Sequence, residues 1–174
     1  FVNCIDQLIF PLIHEEFKEL KPDVLLTFGG MVVSKRIKQF LRKYQPREHW
    51  HIDAFGSMDT FDSLTQHFNI SPQLFFSQFF FLTEHIKSSY QEKWLILKNQ
   101  RDIKHHEYLK DIEYSDMSVF DIILNDLPSH IHLQLANSSV VRYTQLFDMN
   151  PNVKVFCNRG TSGIDGSTST ALGA

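Results

Sequence analysis

Val24-Leu25-Leu26-Thr27-Phe28-Gly29-Gly30 is a short, almost unbroken apolar run that leaves through two glycines. That is the pattern of a parallel strand buried on both faces and entering a tight loop. Beyond the turn, Ser34 is placed to cap a helix. Ile37, Phe40 and Leu41 would form its inner face, with Lys35, Arg36, Lys38, Arg42 and Lys43 at outer or terminal positions. Pro46 ends it, and His49 to Ile52 alternates as a second strand. Residues 24–52 therefore read as one βαβ unit with its glycine turn at the carboxyl end of the first strand, where open α/β sheets place ligands.

Working outward, apolar residues at helical spacing (Leu8, Leu12, Ile13, Phe17, Leu20) predict one helix over 3–20, closed by Lys21-Pro22-Asp23. Residues 54–69 mix Gly, Ser, Asp and Thr and read as surface loop. Residues 72–89 carry Phe75, Phe76, Phe79, Phe80 and Phe81 and read as a buried helix or an interface segment. A strongly charged stretch over 88–110 suits a long exposed helix leading into a linker, with a boundary near 110–115. A second alternation follows: helix 119–127, strand 131–135, helix 139–147, strand 153–156, and a glycine-rich turn over 160–166. The fold class is α/β: a parallel-sheet, three-layer domain with its linker helix over 1–112, then the start of a second α/β domain over 113–174.

At 174 residues the chain has room for one domain, or one and part of another, and its 43% hydrophobic content supports a real core. It opens at Phe1 and stops inside a small-residue run, 168–174, that reads as an unfinished helix. Both ends read as cuts, as in an internal fragment. A net charge of −3, spread without long single-sign runs, lacks the basic footprint of a nucleic-acid binder. Cys4 and Cys157 have no metal-ligand or CxxC spacing, which suits free thiols in the cytoplasm. No apolar run approaches the roughly 18 residues of a membrane span.

Three motifs carry chemistry. In Asn158-Arg159-Gly160-Thr161-Ser162-Gly163-Ile164-Asp165-Gly166 the glycines allow a sharp turn and close approach to a ligand, and Arg159 is a fork for carboxylate or phosphate. The plain alternative is an ordinary strand-to-helix loop. In Ala136-Asn137-Ser138-Ser139-Val140-Val141-Arg142, either Asn137 or Ser138 can cap the helix. Arg142, four residues after Ser138, shares its face, so the pair could hold a carboxylate. The alternative is a capped helix with a solvated arginine. Phe28-Gly29-Gly30-Met31-Val32-Val33-Ser34-Lys35-Arg36 resembles a nucleotide-binding turn without a full GxGxxG. Its two cations oppose the helix dipole, which a nearby anion would rationalise; an exposed basic face explains them equally. The histidine pairs His49/His51, His105/His106 and His130/His132 offer no third metal ligand at a recognisable spacing.

In this order and separation, the N-R-G-x-S-G-I-D-G stretch with Ser169-Thr170-Ala171-Leu172-Gly173 after it, Asn137-Ser138 with Arg142, and the Ser34-Lys35-Arg36 turn resemble one family. It is the 2-succinyl-5-enolpyruvyl-6-hydroxy-3-cyclohexene-1-carboxylate synthases (the MenD family) of menaquinone biosynthesis. The resemblance covers most of the chain, weakly over 54–110. It implies the later part of a central domain followed by the opening of a C-terminal diphosphate-binding domain. The implied enzyme is a thiamine-diphosphate-dependent transferase, a carboligase, that decarboxylates 2-oxoglutarate and adds the succinic semialdehyde unit to isochorismate with Mg2+ or Mn2+.

By the same resemblance, Ile164 props the cofactor in its bent shape and Gly163 lies beside its pyrimidine. Ser138, Arg142 and Arg159 hold substrate carboxylates, and Lys35 is a basic residue brought to the same site. The activating glutamate and the G-D-G…N metal motif are expected outside this chain, so the piece by itself should be silent, binding neither cofactor nor metal. The parent is expected to be a homodimer or homotetramer without a membrane span. Ser167-Thr168 and Cys157 depart from the family pattern. Alternatives are an acetolactate-synthase-type enzyme, disfavoured by motifs that suit a multiply charged acceptor, and a non-catalytic module binding a nucleotide or acid.

Overall fold

The computed structural model describes residues 2–84 and 86–174. Two short helices open the chain, α1 (Ile5–Ile9) and α2 (His14–Glu19), in place of the single expected one. Pro11 makes the break, because it lacks an amide proton and its ring disfavours helical geometry at Phe10. Leu8, Leu12 and Leu20 are buried all the same. Ile13, of the same expected face, is 60% exposed, so the break shifts part of the apolar stripe to the surface.

Strand β1 (Val24–Phe28) leads through the glycine turn to α3 (Lys35–Lys43) and back to β2 (Glu48–Ile52), which pairs with β1 in parallel from Val24↔Glu48 to Phe28↔Ile52. The Ser34 hydroxyl accepts from the Ile37 amide at 3.0 Å, so the expected cap is made, and Phe40 and Leu41 are buried. Strand β3 (Gln66–Phe68) adds to the other side of β2, giving the order β1-β2-β3 with every pairing parallel. The stretch 54–69 is thus a loop only as far as Thr65. A three-residue strand is too short to show alternation, and its position is set by long-range pairing, with the Thr65 amide donating to the His49 carbonyl at 2.9 Å. Within this chain β1 has one strand neighbour; Leu25, Leu26 and Thr27 are half-buried and Val24 and Phe28 at its ends are exposed.

Helix α4 (Pro72–Leu82) starts at the Ser71 cap and buries Phe75, whose ring meets Phe68, Phe76 and Phe79. Phe80 and Phe81 face outward. Residue 85, inside the expected aromatic span, lies outside the described residues. Helix α5 (Tyr90–Lys110) buries Trp94 and Leu97 and turns most of its charged residues outward.

The chain folds as two compact units, Ile9–Ile96, and Phe1–Leu8 together with Leu97–Ala174. In the latter, α6 (Asp116–Asn125) is capped by Ser115, and β4 (His132–Leu135), α7 (Ser139–Thr144) and β5 (Lys154–Cys157) form a second βαβ unit. Strands β4 and β5 pair in parallel, and α8 (Ser167–Gly173) closes the chain. Lys98 bridges Asp102 at 2.7 Å and Asp148 at 3.0 Å. Asp148 also accepts from Asn3 and from the Cys4 thiol. Burial first, then the Asp148 carboxylate, pushes that thiol up to about 12.

Candidate functional site

Both strands of the β4–β5 pair end at one place, and the residue that organises it is Asn137, two positions after β4 and almost fully buried. Its amide nitrogen donates to the Asn158 carbonyl at 2.7 Å and to the Gly163 carbonyl at 2.8 Å. Its amide oxygen accepts from Nη1 of Arg159 at 2.6 Å and from the Cys157 thiol at 3.3 Å. Two donors and two acceptor positions are all the group has, so the side chain is saturated. The sequence offers Asn137 or Ser138 as the helix cap. Ser138 takes the cap position, without a side-chain cap bond, and Asn137 turns to the glycine loop. A buried, saturated amide is invisible in sequence, because its partners lie 20 to 26 residues away.

Around it stand the residues singled out in sequence. Ser138 follows directly, with φ at 68°, a backbone region that side chains rarely adopt outside special sites. Arg142 is exposed on α7, one turn along. Arg159 is half-buried, and its Nε is sealed from solvent without a hydrogen-bond partner. Gly163 has open space where a side chain would be, bounded by the Thr161 hydroxyl at 3.8 Å. Ile164, 69% exposed, projects from the same loop. Gly166, at φ 76°, turns the chain into α8, and Asn158 ties the loop to that helix through Thr170 at 3.0 Å. The structure thus joins Arg159 and Gly163 through Asn137, with Ser138 and Arg142 in the segment that follows it.

Lys35 belongs to the other compact unit, exposed at the start of α3. There a cavity of about 550 Å3 opens at the carboxyl ends of β1 and β2, lined by Gly29, Gly30, His51, Asp53, Met58 and Phe61 among others. Lys35 and Arg36 stay outside that lining, and the Arg36 guanidinium lies 4.2 Å from the centre of the Phe10 ring. Aromatic contact therefore accounts for one of the two cations without an anion. Beneath the cavity the Thr27 hydroxyl lies 2.9 Å from both His49 Nε2 and His51 Nδ1. Among the described residues no group of three His, Cys, Asp or Glu is placed to hold a metal, and no helix is long and apolar enough to cross a membrane.

The family model described as the middle domain of thiamine pyrophosphate enzymes matches residues 2–135. The chain belongs to this family. Within the thiamine pyrophosphate enzymes, it is 52% identical over its whole length to the 2-succinyl-5-enolpyruvyl-6-hydroxy-3-cyclohexene-1-carboxylate synthase of Flavobacterium johnsoniae, covering 31% of that protein. It is 50% identical to the synthase of the same name from Flavobacterium psychrophilum, again over its whole length and 32% of the relative. With that of Phocaeicola vulgatus it shares 37% identity over 99% of its length and 30% of the relative. The chain thus spans about a third of the curated relatives it matches.

Proposed function

We propose that the protein carrying this chain is a carboligase of menaquinone biosynthesis, which decarboxylates 2-oxoglutarate and adds the four-carbon unit to isochorismate. The observation that carries this reading is the match of the entire chain, at 52% and 50% identity, to relatives bearing one activity name. The site is compatible with it. A half-buried arginine held through Nη1, an open space beside Gly163 and an exposed isoleucine on one loop form a surface that fits a cofactor and an acid.

In this reading Gly163 and Ile164 hold thiamine diphosphate, which when bound supplies the nucleophilic carbon and the electron sink, with Mg2+ or Mn2+ held by residues outside this chain. Arg159, Arg142 and Ser138 take substrate carboxylates, and Lys35 adds positive charge from the central domain. Two anionic substrates require such fixed cationic donors, and an arginine fork matches a carboxylate better than a lysine does. Residues 1–112 are then the later central domain and its linker helix, and 113–174 the opening of the diphosphate-binding domain. The separate β1-β2-β3 and β4–β5 sheets support two domains, while the compact units divide within α5, between Ile96 and Leu97. We place the parent in the cytoplasm as a homodimer or homotetramer, the location resting on its two unpaired cysteines.

The test is to assay the full-length protein with thiamine diphosphate, Mg2+, 2-oxoglutarate and isochorismate. CO2 release with formation of the joined product is expected. Condensation of two pyruvates instead would establish an acetolactate-type enzyme, and no turnover with either set would establish a binding module.

A further inference from the structure

Asn137 has no assigned role, yet no other side chain in the β4–β5 unit is recorded with hydrogen bonds to both Arg159 and the loop carrying Gly163 and Ile164. We propose that Asn137 is a positioning residue, whose amide locks the Arg159 guanidinium and the Gly163 turn into one geometry before substrate arrives. This rests on the carboligase reading above for the identity of the substrate.

Arg159 is held through Nη1 while its Nε remains buried and unpartnered. Left to its own hydrogen-bonding demand, a guanidinium would turn to satisfy Nε, because a buried unpaired donor is unfavourable. The observed place is therefore imposed from outside, by the 2.6 Å bond to Asn137 and by the loop that the same amide ties down. An arginine has several rotatable bonds, and fixing them beforehand removes their ordering from the cost of substrate binding. The orientation of Asn137 is itself set, since all four of its hydrogen-bonding positions are filled. No alternative amide flip satisfies two carbonyls and a guanidinium together.

Asn137→Ala is distinguishable from a general loss of packing. In the full-length enzyme, Asn137→Ala is expected to raise KM for the 2-oxo acid about ten-fold, the loss expected for one hydrogen bond to a charged group. In an Arg159→Ala background the same change should have almost no further effect on KM for the 2-oxo acid, because the guanidinium it orients is gone, while its bonds to the Asn158 and Gly163 carbonyls remain to be lost and should still show in cofactor binding. Asn137→Asp keeps an acceptor for Nη1 but turns oxygen toward two carbonyls, so it should lose the loop and fare worse than Asn137→Ala. Where Asn137→Ala does not fold, Asn137→Ser, too short to reach both partners, takes its place in the cycle.

A crystal structure of the full-length Asn137→Ala variant reads the geometry whatever the activity. The Arg159 guanidinium should have moved so that Nε gains a partner. An unmoved guanidinium, or an equal KM effect in both backgrounds, overturns the proposal. Absent carboligation in the wild type would overturn only the substrate reading, while the crystal structure still decides the role of Asn137.

Discussion

Nε2 of His49 lies 2.9 Å from the hydroxyl of Thr27 across the β1–β2 pair, with the imidazole 1% exposed. Burial holds the His49 pKa below its ordinary value of 6.5; nearby His51 lowers it further, while Asp59, 3.9 Å away, works against the shift. Ser63 and Phe61 complete the surroundings. In the unfolded chain the imidazole takes up its proton at the ordinary value, and in the folded chain it resists. Stability from this group is therefore complete above about pH 6.5 and is lost as pH falls through the folded value. His105, also lowered by burial, acts with the same sign. The urea midpoint should be lower at about pH 5.5 than at about pH 7.5. His49→Gln, which can still reach Thr27, should flatten that difference, and an unchanged pH dependence would count against the assignment.

Ser138 carries its strain in the backbone, at φ 68° and ψ −125°. Ser138→Gly should relieve it, leaving stability unchanged or higher by about 1–2 kcal/mol once the greater freedom of the unfolded chain is subtracted. Ser138→Ala keeps the strain. Both remove the hydroxyl, so both should lower kcat/KM. Urea denaturation beside steady-state kinetics separates the two, and equal loss of stability in both variants would show the conformation to be unstrained.

Arg142 and Arg159 carry the carboxylate claim. Replacing either with Ala in the full-length enzyme should cost about 2–5 kcal/mol of transition-state binding, as when one partner of a desolvated charge pair is lost. That corresponds to roughly thirty-fold or more in kcat/KM. Ile164→Ala should instead weaken the dependence on cofactor with either substrate. Unchanged kinetics in folded arginine variants would leave only a capped helix and an ordinary loop.

Phe75 and Phe81 stand on one helix with opposite environments, the first buried among three aromatic rings and the second 91% exposed. Phe75→Ala should cost about 3–5 kcal/mol in urea unfolding. Phe81→Ser should change it by less than about 0.5 kcal/mol if that face is open to water in the full-length protein. A large loss at Phe81 would mean that another surface covers it there.

Cys4, its thiol pushed up to about 12, is held as the neutral form beside Asp148. At about pH 8 it should be alkylated far more slowly in the folded protein than in urea, since the thiolate is the reactive species. Mass spectrometry after timed iodoacetamide treatment reads this, and equal rates in both states would contradict the half-buried setting beside Asp148.

The sequence by itself determined what depends on local periodicity and short-range chemistry. The apolar run 24–28, the Ser34 cap and the alternation at 49–52 give a βαβ unit because each cue acts within a few residues. The glycine motif at 160–166 likewise marks a turn whatever surrounds it. Pro11 was equally legible as a breaker, and the helical period over 3–20 masked it.

Tertiary structure alone decided β3, the exposed ends of β1 and the work of Asn137. A three-residue strand exists only because β2 offers it a partner, and a strand's burial depends on which neighbours the topology supplies. An asparagine after a strand is a cap by local rule. It becomes the tie between Arg159 and Gly163 because a buried amide must fill all its hydrogen bonds, and the fold brings those groups, distant in sequence, within its reach.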